Sequence, residues 1–135
     1  MTRIVIDTNI FISAMINENS RVKLNQVLEN QSFDILLDDI LLREIYEVIT
    51  REKFRKYVSL FKVETFLELL VERCTFIETT SVIRHSPDPK DDFLLALCQD
   101  GMADYLLTGN KIDLLDLKQF GQTIILSLTE FQSLK

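Results

Sequence analysis

Apolar positions along this chain follow two periods that alternate from one end to the other. Short β-branched or aromatic runs stand at Arg3 to Asp7, Phe33 to Leu37, Cys74 to Ile77, Tyr105 to Thr108 and Thr123 to Leu126, and read as strands. Between them the apolar residues recur at helical spacing. The first helical stretch takes in Phe11, Ile12 and Met15 and resumes from Ser20 through Val22, Leu24, Val27 and Leu28. A second starts near Asp38 and carries Ile40, Leu41, Leu42, Ile45, Val48 and Ile49, and a third holds Phe66, Leu67, Leu69, Leu70 and Val71. The fourth, from about Asp91 to Gly101, is apolar on nearly every side through Phe93, Leu94, Leu95, Ala96, Leu97 and Cys98, which predicts deep burial. Strands alternating with helices predict an α/β fold, a three-layer α/β/α sandwich around a central parallel sheet of about five strands.

Composition narrows the picture. The 135 residues are 47% hydrophobic with 3 Gly and 2 Pro, which predicts a single domain over residues 1–135 with little room for linkers. No run approaches the roughly 20 apolar residues of a membrane span, and the first residues lack the blocks of a signal peptide. A cytoplasmic protein is expected. Cys74 and Cys98 lie in apolar surroundings without ligand spacing and read as reduced core thiols. His85 sits in a polar loop with no partner ligand nearby, so it reads as a surface residue. The net charge of −6 argues against a broad basic grip on nucleic acid.

The candidate chemistry is carboxylate. Asp7 ends the apolar run Ile4-Val5-Ile6, at the strand end where open parallel sheets place their active sites. A helix cap by Asp7, Thr8 or Asn9 is the bland alternative, but three polar residues exceed what a cap requires. Glu44 falls between Ile40 and Val48 inside the apolar arc at about 100° per residue, whereas Glu47 lies with Arg43, Thr50 and Arg51. A carboxylate on a buried face is costly unless paired or metal-bound. Downstream, Asp88-Pro89 reads as an N-cap with proline at the first helical position, and Asp91 falls where a capping-box partner would sit. Asp92 is not needed by that cap and stands at the helix N-terminus, so it is the preferred ligand, with Asp91 the alternative. Parallel strands would bring these positions to one edge together with Thr108-Gly109-Asn110. Such an oxygen-rich site suits Mg²⁺ or Mn²⁺.

Asp7-Thr8-Asn9, Glu44 in its amphipathic helix, Asp92-Phe93-Leu94-Leu95-Ala96-Leu97 and Ala103 through Asn110 together resemble the PIN domain family, in the right order and over essentially the whole chain. The likeness is to small prokaryotic members that are toxin components of toxin–antitoxin systems, related to VapC. It implies a metal-dependent endoribonuclease with Asp7, Glu44 and Asp92 as catalytic and metal-binding residues. Asn9 and Thr108 match neighbours that orient ligands or water. It also implies an RNA substrate, a separately encoded antitoxin and a homodimer. The fourth acidic position of the family is often Asp and here is Asn110, which supplies no charge; Asp113 is a substitute whose plainer role is to cap the short helix at Leu114 to Leu117. One or two metal positions therefore remain open at the level of sequence.

The only dense basic segment, Arg51, Lys53, Arg55 and Lys56 interleaved with Phe54 and Tyr57, is a candidate contact for RNA or a partner, against the alternative of a solvated face. Leu60, Phe61 and Val63 are a candidate interface. Two rival functions stand beside the nuclease: a non-catalytic PIN-like module that binds RNA or protein, and a phosphoacceptor domain. The latter needs an acidic pair after the first strand, where this chain has one Asp.

Overall fold

The structure, a computed structural model, describes residues 1–86, 88–109 and 112–134. The five expected strands are β1 (Thr2–Ile6), β2 (Phe33–Leu37), β3 (Thr75–Phe76), β4 (Tyr105–Thr108) and, last in the chain, β6 (Thr123–Ser127). Between the last two stands a further strand, β5 (Gln119–Phe120). They lie side by side in the order β3-β2-β1-β4-β6-β5, all neighbours parallel except the antiparallel pair β5 and β6. At two residues, β5 is too short for alternation to reveal it in sequence; Gly121, at φ +57°, turns the chain back into β6.

Successive side chains of a strand point to opposite faces of a sheet. Ile4, Val5 and Ile6 are each 0% exposed, so both faces at β1 are covered. Ile35-Leu36-Leu37 and Leu106-Leu107-Thr108 repeat the pattern on the flanking strands. The layers over the sheet are α1 (Thr8–Ile16), α2 (Glu18–Leu28), α3 (Asp39–Ile49), α4 (Leu60–Arg73), α5 (Asp92–Gly101), α6 (Ile112–Leu117) and α7 (Leu128–Gln132). As expected, α5 is buried through Leu94, Leu95, Ala96, Leu97 and Cys98. It comes so close to β2 that a Cβ on Gly101 would stand 2.6 Å from Leu36 Cδ1, so any larger residue there would require the Leu36 side chain to shift.

The apolar trio expected at a surface is divided by helical geometry. Leu60 and Phe61 at the start of α4 are exposed, Phe61 by 77%, but Val63 is 2% exposed and belongs to the core. Two residues along a helix turn a side chain to the opposite side, so Val63 cannot share a face with Phe61. Cys74 and Cys98 are free thiols, and burial pushes both up to about 12. Among the described residues no helix is long and apolar enough to cross a membrane.

The parallel arrangement decides where chemistry can gather. Asp7 after β1, Asp38 after β2 and Gly109 after β4 all fall on the carboxyl edge of the sheet.

A candidate carboxylate site at the sheet edge

Asp7 extends the ladder one residue beyond β1, its N–H donating to the Leu107 carbonyl at 2.8 Å. It occupies the N-cap position of α1 with extended backbone, yet its carboxylate makes no capping bond. Instead the Thr108 hydroxyl donates to Asp7 Oδ2 at 2.8 Å. Asp7 is 1% exposed and Thr108 0%. Removing a carboxylate from water costs several kcal/mol, on the order of what a few hydrogen bonds return, so its placement here is specific.

Glu44 arrives from α3. It is half-buried in the arc between Leu41 and Val48 while Glu47 on the next face is exposed. The hydroxyl of Thr8, first residue of α1 and itself buried, donates to Glu44 Oε2 at 2.5 Å. This link was not apparent in the sequence, because a threonine beside an aspartate at a helix start reads first as a cap. Its only signal is the juxtaposition with a carboxylate on another helix.

The two neighbouring aspartates at the start of α5 part company. The expected cap is present at Asp88, whose Oδ1 accepts from the Lys90 N–H at 3.1 Å, with Pro89 opening a 3₁₀ turn over Pro89–Asp91. Asp92 is partly exposed and faces the preceding loop: its Oδ1 accepts from the N–H of Ser86 at 2.8 Å and of His85 at 3.3 Å. Partial burial works to raise its pKa, but the Ser86 and His85 donors outweigh it and hold the carboxyl below its ordinary value. Asp91 is 2% exposed and makes no capping bond to α5. Of the two neighbours Asp91 is buried and Asp92 partly exposed.

Other predicted residues fall at varying distance from this edge. Asn9 is exposed and lines a cleft with Thr108 and Gly109. Asp113 is exposed in the first turn of α6. Asn110 lies outside the described residues. Arg51, Lys53, Arg55 and Lys56 are all exposed around a 3₁₀ turn at Glu52–Phe54, with the Lys53 ammonium 5.1 Å from the Phe54 ring and that of Lys56 5.2 Å from Tyr57. His85 is exposed beside Phe120, their ring centroids 5.2 Å apart.

The side chains at the edge offer oxygen donors only, which suits a hard divalent cation. Among the described residues, no three His, Cys, Asp or Glu side chains are grouped so as to hold one ion. The predicted ligands Asp7, Glu44 and Asp92 are thus not gathered within reach of a single ion in this structure.

An open, mostly parallel sheet covered on both faces, with carboxylates oriented by threonines on its carboxyl edge, defines an α/β protein whose site lies outside the strand ends. The chain belongs to the PIN domain family, which matches residues 3–112. None of the curated proteins matches it. Among solved structures, a chain of VapBC2 from Rickettsia felis bound to a DNA fragment from their promoter is similar in fold, with a TM-score of 0.58 and 18% identity over 93% of this chain and 98% of that chain.

Proposed function

We propose that this PIN domain is a divalent-cation-dependent endoribonuclease that hydrolyses RNA phosphodiester bonds. The observation that carries the reading is Asp7: a buried carboxylate in an N-cap position that forgoes capping and is aimed by Thr108 at the sheet edge. Asp7 and Glu44 would hold Mg²⁺ or Mn²⁺, with Asp91, the buried one of the two neighbours, as a further carboxylate in preference to Asp92. When bound, the ion supplies Lewis-acid stabilisation of the phosphate's charge and acidifies water at neutral pH. The chain's own part is positioning: Thr108 fixes Asp7 at the end of β1, and Thr8 fixes Glu44 on α3.

The test is cleavage of a labelled RNA pool with Mn²⁺, Mg²⁺ or EDTA by wild type and folded Asp7→Asn. Metal-dependent cleavage that disappears in the variant is expected. Cleavage that survives in EDTA or in Asp7→Asn would sink the reading.

The second reading, a non-catalytic binding module, draws on Asn110, which supplies no charge where the family often has Asp, and on the lack of a three-carboxylate group among the described residues. RNA binding by folded protein without cleavage under any metal would favour it. Within the nuclease reading, we further propose a cytoplasmic toxin with a separately encoded antitoxin. The fold likeness to VapBC2 supports that partner, and a stable complex with the product of a neighbouring reading frame would be its check. A homodimer is proposed through exposed Leu60 and Phe61; sedimentation of Phe61→Glu as wild type would remove that face.

A further inference from the structure

Between β3 and the turn that opens α5, residues 77–86 are neither helix nor strand. Their side chains nevertheless alternate as in an extended strand, with Ile77, Thr79, Ser81 and Ile83 half-buried and Glu78, Thr80, Val82 and Arg84 exposed. Ile77 and Ile83 pack against the apolar core, which is little apolar contact for a segment of this length.

Three aspartates hold it in addition. The Thr79 hydroxyl donates to Asp38 Oδ2 at 2.6 Å, and Oδ1 of the same buried carboxylate accepts from the Leu41 N–H at 2.8 Å, so this tie ends on the cap of α3. The N–H groups of Thr80 and Ser81 donate to Asp100 Oδ2 at 2.6 and 2.9 Å, and the Ser81 hydroxyl donates to Oδ1. Gln99 Nε2 donates to the Ser81 hydroxyl oxygen at 3.1 Å. At the far end the N–H groups of His85 and Ser86 meet Asp92 Oδ1 at the start of α5.

Chain length couples these ties. Asp92 and Asp100 are separated along α5 by about 12 Å of helix rise and by about a quarter turn around it. The stretch from Ser81 to Ser86 reaches at most about 18 Å when fully extended. It has little slack, and Thr79 and Ser81 are closer still in the chain, so a displacement at one tie pulls on the next.

We infer that residues 79–86 act as a strap that sets the starts of α3 and α5 together, with Asp100 as its anchor and a positioning residue for Glu44 and Asp91. The inference rests on the nuclease reading for what those two carboxylates do. Asp100 stands in the last turn of α5, at the opposite end of the helix from Asp91. Glu44 follows the capped start of α3 and Asp91 immediately precedes Asp92, so each moves with its helix start.

The experiment is amide hydrogen exchange followed by NMR, together with Mn²⁺ titration of RNA cleavage, for wild type, Asp100→Ala, Ser81→Ala and, on exposed α4, Glu64→Ala. Thermal melts check that each variant is folded; should Asp100→Ala unfold, Ser81→Ala carries the same test. Asp100→Ala should speed exchange about tenfold or more at Thr80 and Ser81, the scale of a lost charged hydrogen bond. It should also speed exchange at Leu41, His85 and Ser86, whose own partners are untouched, and leave the Asp7 N–H as in wild type. The Mn²⁺ midpoint should rise about three- to tenfold, at or below the lower end of what a group orienting a metal ligand costs, with the rate at saturating Mn²⁺ unchanged. Ser81→Ala should act in the same direction with a smaller effect. Glu64→Ala should match wild type.

Faster exchange confined to Thr80 and Ser81 would overturn the strap, because the ties would then open one by one. Faster exchange at Leu41 and Ser86 with an unmoved Mn²⁺ midpoint would overturn the positioning role even if cleavage is normal. Wild type without metal-dependent cleavage would remove the nuclease, and exchange alone would then decide the strap.

Discussion

At the amino ends of β1, β2 and β4 a charged side chain is tied down by opposite charge and carbonyl oxygen, whereas at their carboxyl ends carboxylates are held by neutral hydroxyls. Arg3 donates through Nε to the Gly101 carbonyl at 2.6 Å, and its Nη1 lies 3.7 Å from Asp34 Oδ2. Asp104 accepts the Arg3 N–H at 2.8 Å, and the rings of Phe33, Tyr105 and Phe131 pack edge to face beside it. At the other end Thr108 donates to Asp7 and Thr8 to Glu44. A hydroxyl orients a carboxylate without cancelling its charge, which an arginine would do. The same three strands thus end in an ion-paired, packed joint on one side and in carboxylates oriented by threonine hydroxyls on the other.

The comparison is broken most severely at the carboxyl edge. Asp91→Asn should lower metal-dependent RNA cleavage about a hundredfold or more, as Asp7→Asn should, on the scale of losing one transition-state-stabilising group. Asp92→Asn should cost less than about tenfold. Initial rates in Mn²⁺ decide it, and the reverse order would return the role to Asp92.

At the amino end the expectation is the opposite. Arg3→Ala should lower stability by about 2 kcal/mol, mostly from the lost charged hydrogen bond to Gly101, because a partly exposed ion pair adds little. Cleavage per folded molecule should not change. Urea unfolding combined with the cleavage assay checks both, and a drop in turnover would show that the two ends are coupled.

Thr8→Val keeps the shape and removes the hydroxyl on Glu44. Loss of such an orienting bond costs roughly ten- to a hundredfold in metal affinity or activity, and the lower figure is expected here because Glu44 stays on its helix. A Mn²⁺ titration of activity should move to higher concentration. An unchanged titration would mean that Glu44 needs no orientation.

The smallest effect concerns the segment between β3 and α5. Ser81 donates to Asp100 through its hydroxyl and its N–H, and Thr80 adds its N–H at 2.6 Å. These donors, the Ser81 hydroxyl foremost, hold the Asp100 carboxyl below its ordinary value against a smaller opposing effect of burial. A depressed carboxyl stabilises the fold fully above the unfolded pKa of about 3.9 and loses that stabilisation as pH falls through the folded value. Thermal melts from pH 6 down to 2 should therefore fall less steeply for Asp100→Asn than for wild type. Parallel curves would show that the bonds carry no linkage.

Much of this architecture was legible because it is local. The apolar run of β1 stops at Asp7 within the sequence itself, and the arc from Ile40 to Val48 placed Glu44 inward, although Ile40 is itself exposed and the buried neighbours are Leu41 and Ile45. The cap at Asp88 with Pro89 likewise needs only neighbours in the chain. Periodicity revealed the strands of four or more residues, and even the two-residue β3 lay within a readable apolar run, but β5 did not.

What remained was decided by distance in sequence and by angle around a helix. The hydroxyl that aims Asp7 lies 101 residues away, and the one that holds Glu44 lies 36 residues away. Asp91 and Asp92 are adjacent letters with the same chemistry. Helical geometry turns them about 100° apart, and the packing of α5 buries one while leaving the other to the loop. The cleft lined by Asn9, Lys23, Phe54 and Thr108 is likewise built from separate elements, which only the assembled sheet brings to one edge. Residue types and periods were therefore enough to predict an α/β fold with an acidic strand end. Tertiary packing alone selected which carboxylates that end presents, because burial is a property of the assembled layers.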